Sequence, residues 1–183
     1  FRDGALFVRA FAQIVNDMEL SSLQIQFQYA GRDGALWKEW FDESNVSDYF
    51  KDIGFISRKK SLELQVQADL LILLSSSSKE QQGVLTGKFF EYLETQKPIL
   101  YIINGVRDTE FENLFTDLEA GAIFYSGQEE LIVNYLKESY LNFEAMSQTI
   151  EETINPHSIS EIARKKRQSM SWESRVKYML DEL

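Results

Sequence analysis

An α/β fold, with a parallel sheet layered between helices, follows from three observations. Short apolar runs alternate with stretches of helical spacing along most of the chain. The two clearest runs, residues 70–74 and 99–103, contain almost nothing polar, as expected of strands buried on both faces. Each run leads into a polar loop and then a helix start, the order of a strand–crossover–strand unit. Ligands of such sheets sit outside the carboxyl ends of the strands, so the loop at 75–86 is the first place to look for a site.

The elements follow in order. Phe7, Phe11, Ile14 and Met18 recur at helical spacing beside Leu6 and Ala10. A chain opening inside an amphipathic helix reads as a piece of a longer one, with the first strand of the sheet missing. Leu23, Ile25, Phe27 and Tyr29 alternate with glutamines, predicting a strand closed by Gly31. Residues 35–41 read as a short aromatic helix, and the 46–53 region as a short strand ending at Ile53-Gly54-Phe55. Leu62, Leu64, Val66 and Ala68 also alternate, but 70–74 is the better strand and no turn residue separates the two. Leu62 and Val66 fit helical spacing equally, so a helix through Gln67 with Ser57 as N-cap is expected.

After the loop at 75–86, Thr86 and Gly87 mark a helix start, and Pro98 opens the strand 99–103, where its missing donor is tolerable. Thr109 and Glu112 make a capping box ahead of Phe111, Leu114, Phe115 and Leu118. Gly121 is expected to stop that helix and 122–125 to form a strand. Ser126 and Glu129 make a second capping box, opening a helix through Leu131, Tyr135 and Leu136. The domain reading is residues 1–145 for the α/β domain and 146–183 for a helical tail. Asn155-Pro156 breaks the chain there. Residues 164–167 are a basic cluster, read as a solvated helix face. Ser171 caps a last helix bearing Trp172, Val176, Met179, Leu180 and Leu183.

Composition narrows the function classes. The 183 residues carry a net charge of -10, against a nucleic-acid groove, which needs excess lysine and arginine. There are no cysteines, which removes disulfides and zinc–thiolate sites. The single histidine, His157, cannot form a cluster and is assigned no catalytic work. No apolar run approaches a membrane span, so a soluble, cytoplasmic protein is expected.

The segment 83–91, Gly-Val-Leu-Thr-Gly-Lys-Phe-Phe-Glu, carries the chemistry. Amides exposed at a helix N-terminus favour an anion. Lys88 in the first turn adds positive charge, and Glu91 one turn on can accept hydrogen bonds from sugar hydroxyls. That combination suits a sugar nucleotide. Taken singly, Glu91 reads as an ordinary helix carboxylate, Lys88 as a solvated lysine and Gly87 as a helix–sheet packing position.

The order Ala-Asp-Leu-Leu-Ile-Leu-Leu, then Gly83 through Lys88 and Glu91 to Lys97-Pro98-Ile99-Leu100, resembles the donor-binding half of GT-B-fold glycosyltransferases of the retaining group 1 family. Phe55-Ile56-Ser57-Arg58 resembles that family's preceding loop, and Ser171-Trp172-Glu173-Ser174-Arg175-Val176 its final helix. The resemblance implies a Rossmann-like three-layer sandwich, a single GT-B half with a C-terminal helical tail. It also implies sugar transfer from a nucleoside-diphosphate donor with retention, in polysaccharide or glycoconjugate synthesis. Glu91 would accept from the ribose hydroxyls, and Leu85, Thr86, Gly87 and Gly83 would form the turn facing the diphosphate. Lys88 would either stabilise the leaving group or only add charge nearby, and Phe55, Ile56, Ser57 and Arg58 would flank the nucleobase. No metal is expected, because the family usually works without one and no Asp-x-Asp pair occurs. The implied partners are the nucleotide-sugar donor and an N-terminal acceptor-binding domain, with any membrane contact made through the full-length enzyme.

Two departures separate this chain from the family pattern. The glutamate that usually precedes Glu91 by eight positions is Gly83 here, and the basic pair near the first strand is not evident. A non-catalytic nucleotide-binding module and the half of a sugar-nucleotide epimerase therefore stand as alternatives. A receiver-like domain is disfavoured, because the strand 70–74 ends in serines rather than in an aspartate.

Overall fold

The structure, a computed structural model, describes residues 4–78 and 86–153. Two compact units divide the chain, Phe1–Glu138 and Ser139–Leu183. The first is α/β, with every strand pairing parallel. Its elements run α1 (Ala5–Asp17), β1 (Phe27–Ala30), α2 (Gly34–Glu43), a 3-10 turn (Ser47–Tyr49), β2 (Phe50–Gly54), α3 (Arg58–Gln67) and β3 (Leu71–Ser77). There follow α4 (Gly87–Glu94), β4 (Ile99–Gly105), α5 (Thr109–Asp117), β5 (Gly121–Tyr125) and α6 (Glu129–Thr153). Of the second unit, the structure describes the turns of α6 from Ser139 onward, where Leu141 and Met146 are exposed. Among the described residues, no helix is long and apolar enough to cross a membrane.

The strands pair as two ladders, β1 with β2 and β3–β4–β5 in that order. Residues of both ladders, including Phe27 and Tyr29 of β1 and Ile72 and Leu74 of β3, pack on one shared apolar core. β4 shows why the fold is layered. Residues 99–103 of this strand are all buried, as a strand covered on both faces must be. Leu100 and Ile102 join the core formed with α1, Trp37, Phe41 and the start of α6. Tyr101 points to the other face, against Phe111 and Phe115 of α5. Phe89 of α4 completes that second cluster, with ring centroids 5.3 Å from Phe111 and 5.8 Å from Phe115. This is the three-layer, Rossmann-like sandwich that the sequence predicts.

Several local expectations are corrected. The strand predicted from Leu23 begins only at Phe27. Ser21 to Gln24 is instead a turn, closed by the Gln24 side-chain oxygen accepting from the Ser21 amide at 2.9 Å, and Leu23 is 97% exposed. β3 continues past Leu74 into the serines, pairing Ser75, Ser76 and Ser77 with Ile103, Asn104 and Gly105. The expected loop therefore starts three residues later.

The helix caps also differ from the sequence reading. Asp108, not Thr109, caps α5, its carboxylate accepting from the Phe111 amide at 3.1 Å. Ser126 lies before the N-cap position of α6, which starts at Glu129, and its hydroxyl donates to Asn104. Gly121 does not end α5. Glu119 takes the left-handed position after that helix (φ 48°), and Gly121 opens β5, where an added Cβ would strike the Ile99 backbone. Calls on Gly83 and Leu85, on Asn155-Pro156 and His157, on the basic cluster and on the final helix lie outside the described residues.

Candidate functional site

β2 and β3 belong to separate parallel ladders, and each hands over at its carboxyl end to a helix, β2 to α3 and β3 to α4. α3 and α4 meet through side chains at Glu91 of α4, approached by Gln65 near the end of α3 and by Arg58 at its start. Ser57 is the N-cap of α3, its hydroxyl accepting from the Lys60 amide at 3.4 Å, as its sequence position predicts. Thr86 is the N-cap of α4 in extended conformation, but its side chain makes no capping bond. The Thr86 hydroxyl oxygen is buried without a partner. First-turn amides have no acceptor within their own helix, so the start of α4 presents donors.

Glu91 lies at the centre of this contact. Its side chain is 19% exposed, much less than that of an ordinary helix carboxylate. The Gln65 amide of α3 donates to Glu91 Oε1 at 2.7 Å. Lys88 Nζ lies 3.5 Å from the same oxygen, one turn earlier on α4. Arg58 Nε, from the first residue of α3, lies 4.0 Å from Oε2 and is itself well exposed. Two exposed cations therefore flank a held carboxylate, within a chain of strongly negative net charge. Lys88 also reaches over the Tyr92 ring, 5.7 Å from its centroid. Burial pushes the Tyr92 hydroxyl up to about 12, with the Glu91 charge and Tyr29 acting in the same direction.

Gly87 and Lys88 are exposed, and a Cβ added at Gly87 would meet nothing within 4 Å. Gly87 therefore does not serve helix–sheet packing, and among the described residues nothing stands against its Cβ position at the first turn of α4. Beyond β2, Phe55 is 77% exposed, Ile56 is partly buried and Arg58 is exposed. Arg32, after β1, sits over the Phe55 ring at 5.3 Å from its centroid. This brings Arg58, Lys88 and Glu91 together, with Ser57, Thr86 and Gly87 at the two helix starts.

Two residues escaped the sequence reading. Arg32 carries no periodic signal in its loop. Gln65 was hidden because α3 turns Gln65 inward while Val66, the residue chosen for its helical spacing, is 57% exposed. The available signal was position: Gln65 is four residues after Ser61 and three after Leu62, on one helical face. Its amide also donates to the Ser61 hydroxyl at 3.1 Å.

Among the described residues, no group of three or more His, Cys, Asp or Glu side chains is placed to hold a metal ion. Compared with protein-family models, with curated proteins and with solved structures, the chain finds no match.

Proposed function

We propose that this chain is the donor-binding half of a GT-B-fold, retaining glycosyltransferase, and that it binds a nucleoside-diphosphate sugar between the starts of α3 and α4. The observation that carries the reading is Glu91, a largely buried carboxylate fixed by Gln65 and flanked by Arg58 and Lys88. A carboxylate so held accepts charge-assisted hydrogen bonds from ribose hydroxyls, while the open amide end of α4 takes the diphosphate. Phe55 and residues 56–58 flank the nucleobase.

During transfer, the bond from sugar to diphosphate loosens and negative charge grows on the leaving group. Amides already oriented at the start of α4, with Lys88 beside them, stabilise that charge more than they stabilise the bound donor. The anomeric configuration is retained. Acceptor recognition belongs to a second domain, and turnover requires the cleft between the two. The setting is cytoplasmic polysaccharide or glycoconjugate synthesis.

One observation favours a second reading, a nucleotide-binding module without catalysis. The Lys88 ammonium lies along α4 towards Glu91 and Tyr92, away from the helix start that would face the diphosphate. Titration calorimetry with uridine, guanosine and adenosine diphosphates tests both readings. Binding of one of them, weakened in Glu91→Ala by about 1.5–3 kcal/mol, is expected for a lost charge-assisted bond. Equal affinity in Glu91→Ala removes Glu91 from the site. Lys88→Ala then separates the readings, because only the catalytic one requires turnover by the full-length protein to fall.

A further inference from the structure

We infer that Gln65 is a positioning residue that fixes Glu91 for the reading of vicinal hydroxyls on the bound nucleotide's ribose. The inference rests on the nucleotide reading above. Gln65 and Asp108 are the two buried polar or charged side chains among the described residues. Asp108 is accounted for by its cap on α5. Gln65 caps nothing. Both hydrogens of its amide are directed, one to Glu91 Oε1 at 2.7 Å and one to Ser61 Oγ at 3.1 Å.

The orientation of that amide is dictated by its neighbour. Turned the other way, the carbonyl oxygen of Gln65 would face a carboxylate oxygen, acceptor against acceptor. As it stands, Gln65 Oε1 is buried and has no hydrogen-bond partner. An orphaned buried acceptor lowers stability, whereas an apolar side chain of similar size would fill the contact between α3 and α4 without that penalty. Packing therefore does not explain an amide at this position. Its link to Glu91 does.

The consequence for Glu91 is a division of labour between its two oxygens. Oε1 carries Gln65 and, at longer range, Lys88. Oε2 has Arg58 at 4.0 Å, on a side chain that is 84% exposed. Anchored through Oε1, the carboxylate cannot swing, and Oε2 stays presented as the acceptor for an incoming hydroxyl. A ribose supplies two adjacent hydroxyls, and a 2′-deoxyribose lacks one of them. Gln65 thus acts on sugar discrimination without touching the sugar.

Calorimetric titration of the 183-residue chain tests this, using uridine, guanosine and adenosine diphosphates and their 2′-deoxy counterparts. Wild type is expected to prefer the ribose form of its nucleotide by about tenfold or more, the weight of one charge-assisted bond. In Gln65→Leu and Gln65→Met, melting temperature holds and the preference falls towards unity. Glu91→Ala has the same effect, and adding Gln65→Leu to it changes nothing further. A preference retained in both Gln65 variants overturns the inference and leaves the nucleotide reading standing. So does an equal loss of both sugar forms, which marks a merely structural glutamine. A wild-type chain that binds none of the three diphosphates overturns the nucleotide reading, and the inference with it.

Discussion

Gly105, at the end of β4, lies so close to Ser77 of β3 that an added Cβ would run into the Ser77 carbonyl oxygen. Its φ of 144° is one that side-chain-bearing residues rarely adopt. Ser77 is bound from both of its ends here, since its hydroxyl donates to the Val106 carbonyl at 2.5 Å and its carbonyl accepts from the Val106 amide. Gly105→Ala therefore meets both a backbone clash and an unfavourable dihedral. A loss of about 1–3 kcal/mol in denaturant unfolding is expected. A variant as stable as wild type would mean that the ends of β3 and β4 are not joined in this way.

The cap of α5 separates the structure from the simplest reading of its sequence. Asp108→Ala removes the carboxylate that accepts the Phe111 amide and is expected to cost about 0.5–2 kcal/mol. Thr109→Ala, at the position the capping-box pattern points to, is expected to leave stability within about 0.5 kcal/mol of wild type. Thermal unfolding of the two variants checks the assignment, and the reverse ranking would restore Thr109 as the cap.

Tyr92 gives the fold an alkaline limit. Its hydroxyl titrates at about 12 in the folded protein, raised chiefly by burial, against its ordinary value of 10.0 in the unfolded chain. Between those values the unfolded chain gives up its proton first. The neutral tyrosine's contribution to stability is therefore complete below pH 10 and is lost as pH rises towards about 12. Tyr125, raised to about 12 mainly by burial, acts over the same window. Tyr92→Phe is expected to flatten part of the fall in unfolding free energy above pH 10 and to remove part of the latest-titrating tyrosinate absorbance. An unchanged titration would mean that Tyr92 is not buried beneath Lys88.

Gly87 distinguishes packing from binding. With open space where its Cβ would stand, Gly87→Ala is expected to keep or raise stability, by up to about 1 kcal/mol, through the less flexible unfolded chain. In the proposed nucleotide-binding role, the same methyl group would stand in the path of a diphosphate approaching the α4 amides, and nucleotide affinity is then expected to fall several-fold. Reduced stability with unchanged affinity would assign Gly87 to the scaffold.

Much of the layered fold was legible because its signals were local and redundant. Residues 99–103 are apolar without interruption, and Ser57 caps where its spacing from α3 requires. The errors share a cause, which is that tertiary context overrode a local pattern. Ser75 to Ser77 look like a loop by composition, yet pairing with the end of β4 satisfies their backbone and draws them into the strand. Helix ends were obscured because Glu19, Asn45, Gln96 and Glu119, not glycines, take the left-handed positions that follow four of the helices. At the site, Glu91 and Lys88 could be read from spacing along one helix. Position relative to Ser61 and Leu62 could place Gln65 on one helical face, but its partner Glu91 could not be read, because that contact depends on α3 and α4 meeting.

The central claim is that a nucleoside diphosphate is held between the starts of α3 and α4, with Glu91 taking its ribose. Amide chemical-shift mapping on the nitrogen-15-labelled chain, titrated with the diphosphate that binds best, tests this most directly. The account predicts that shifts concentrate at residues 55–58 and 86–91 and that the changes at α4 disappear in Glu91→Ala. Shifts centred elsewhere, for example on Arg107 and Glu112 after β4, or no shifts at any concentration, would contradict it.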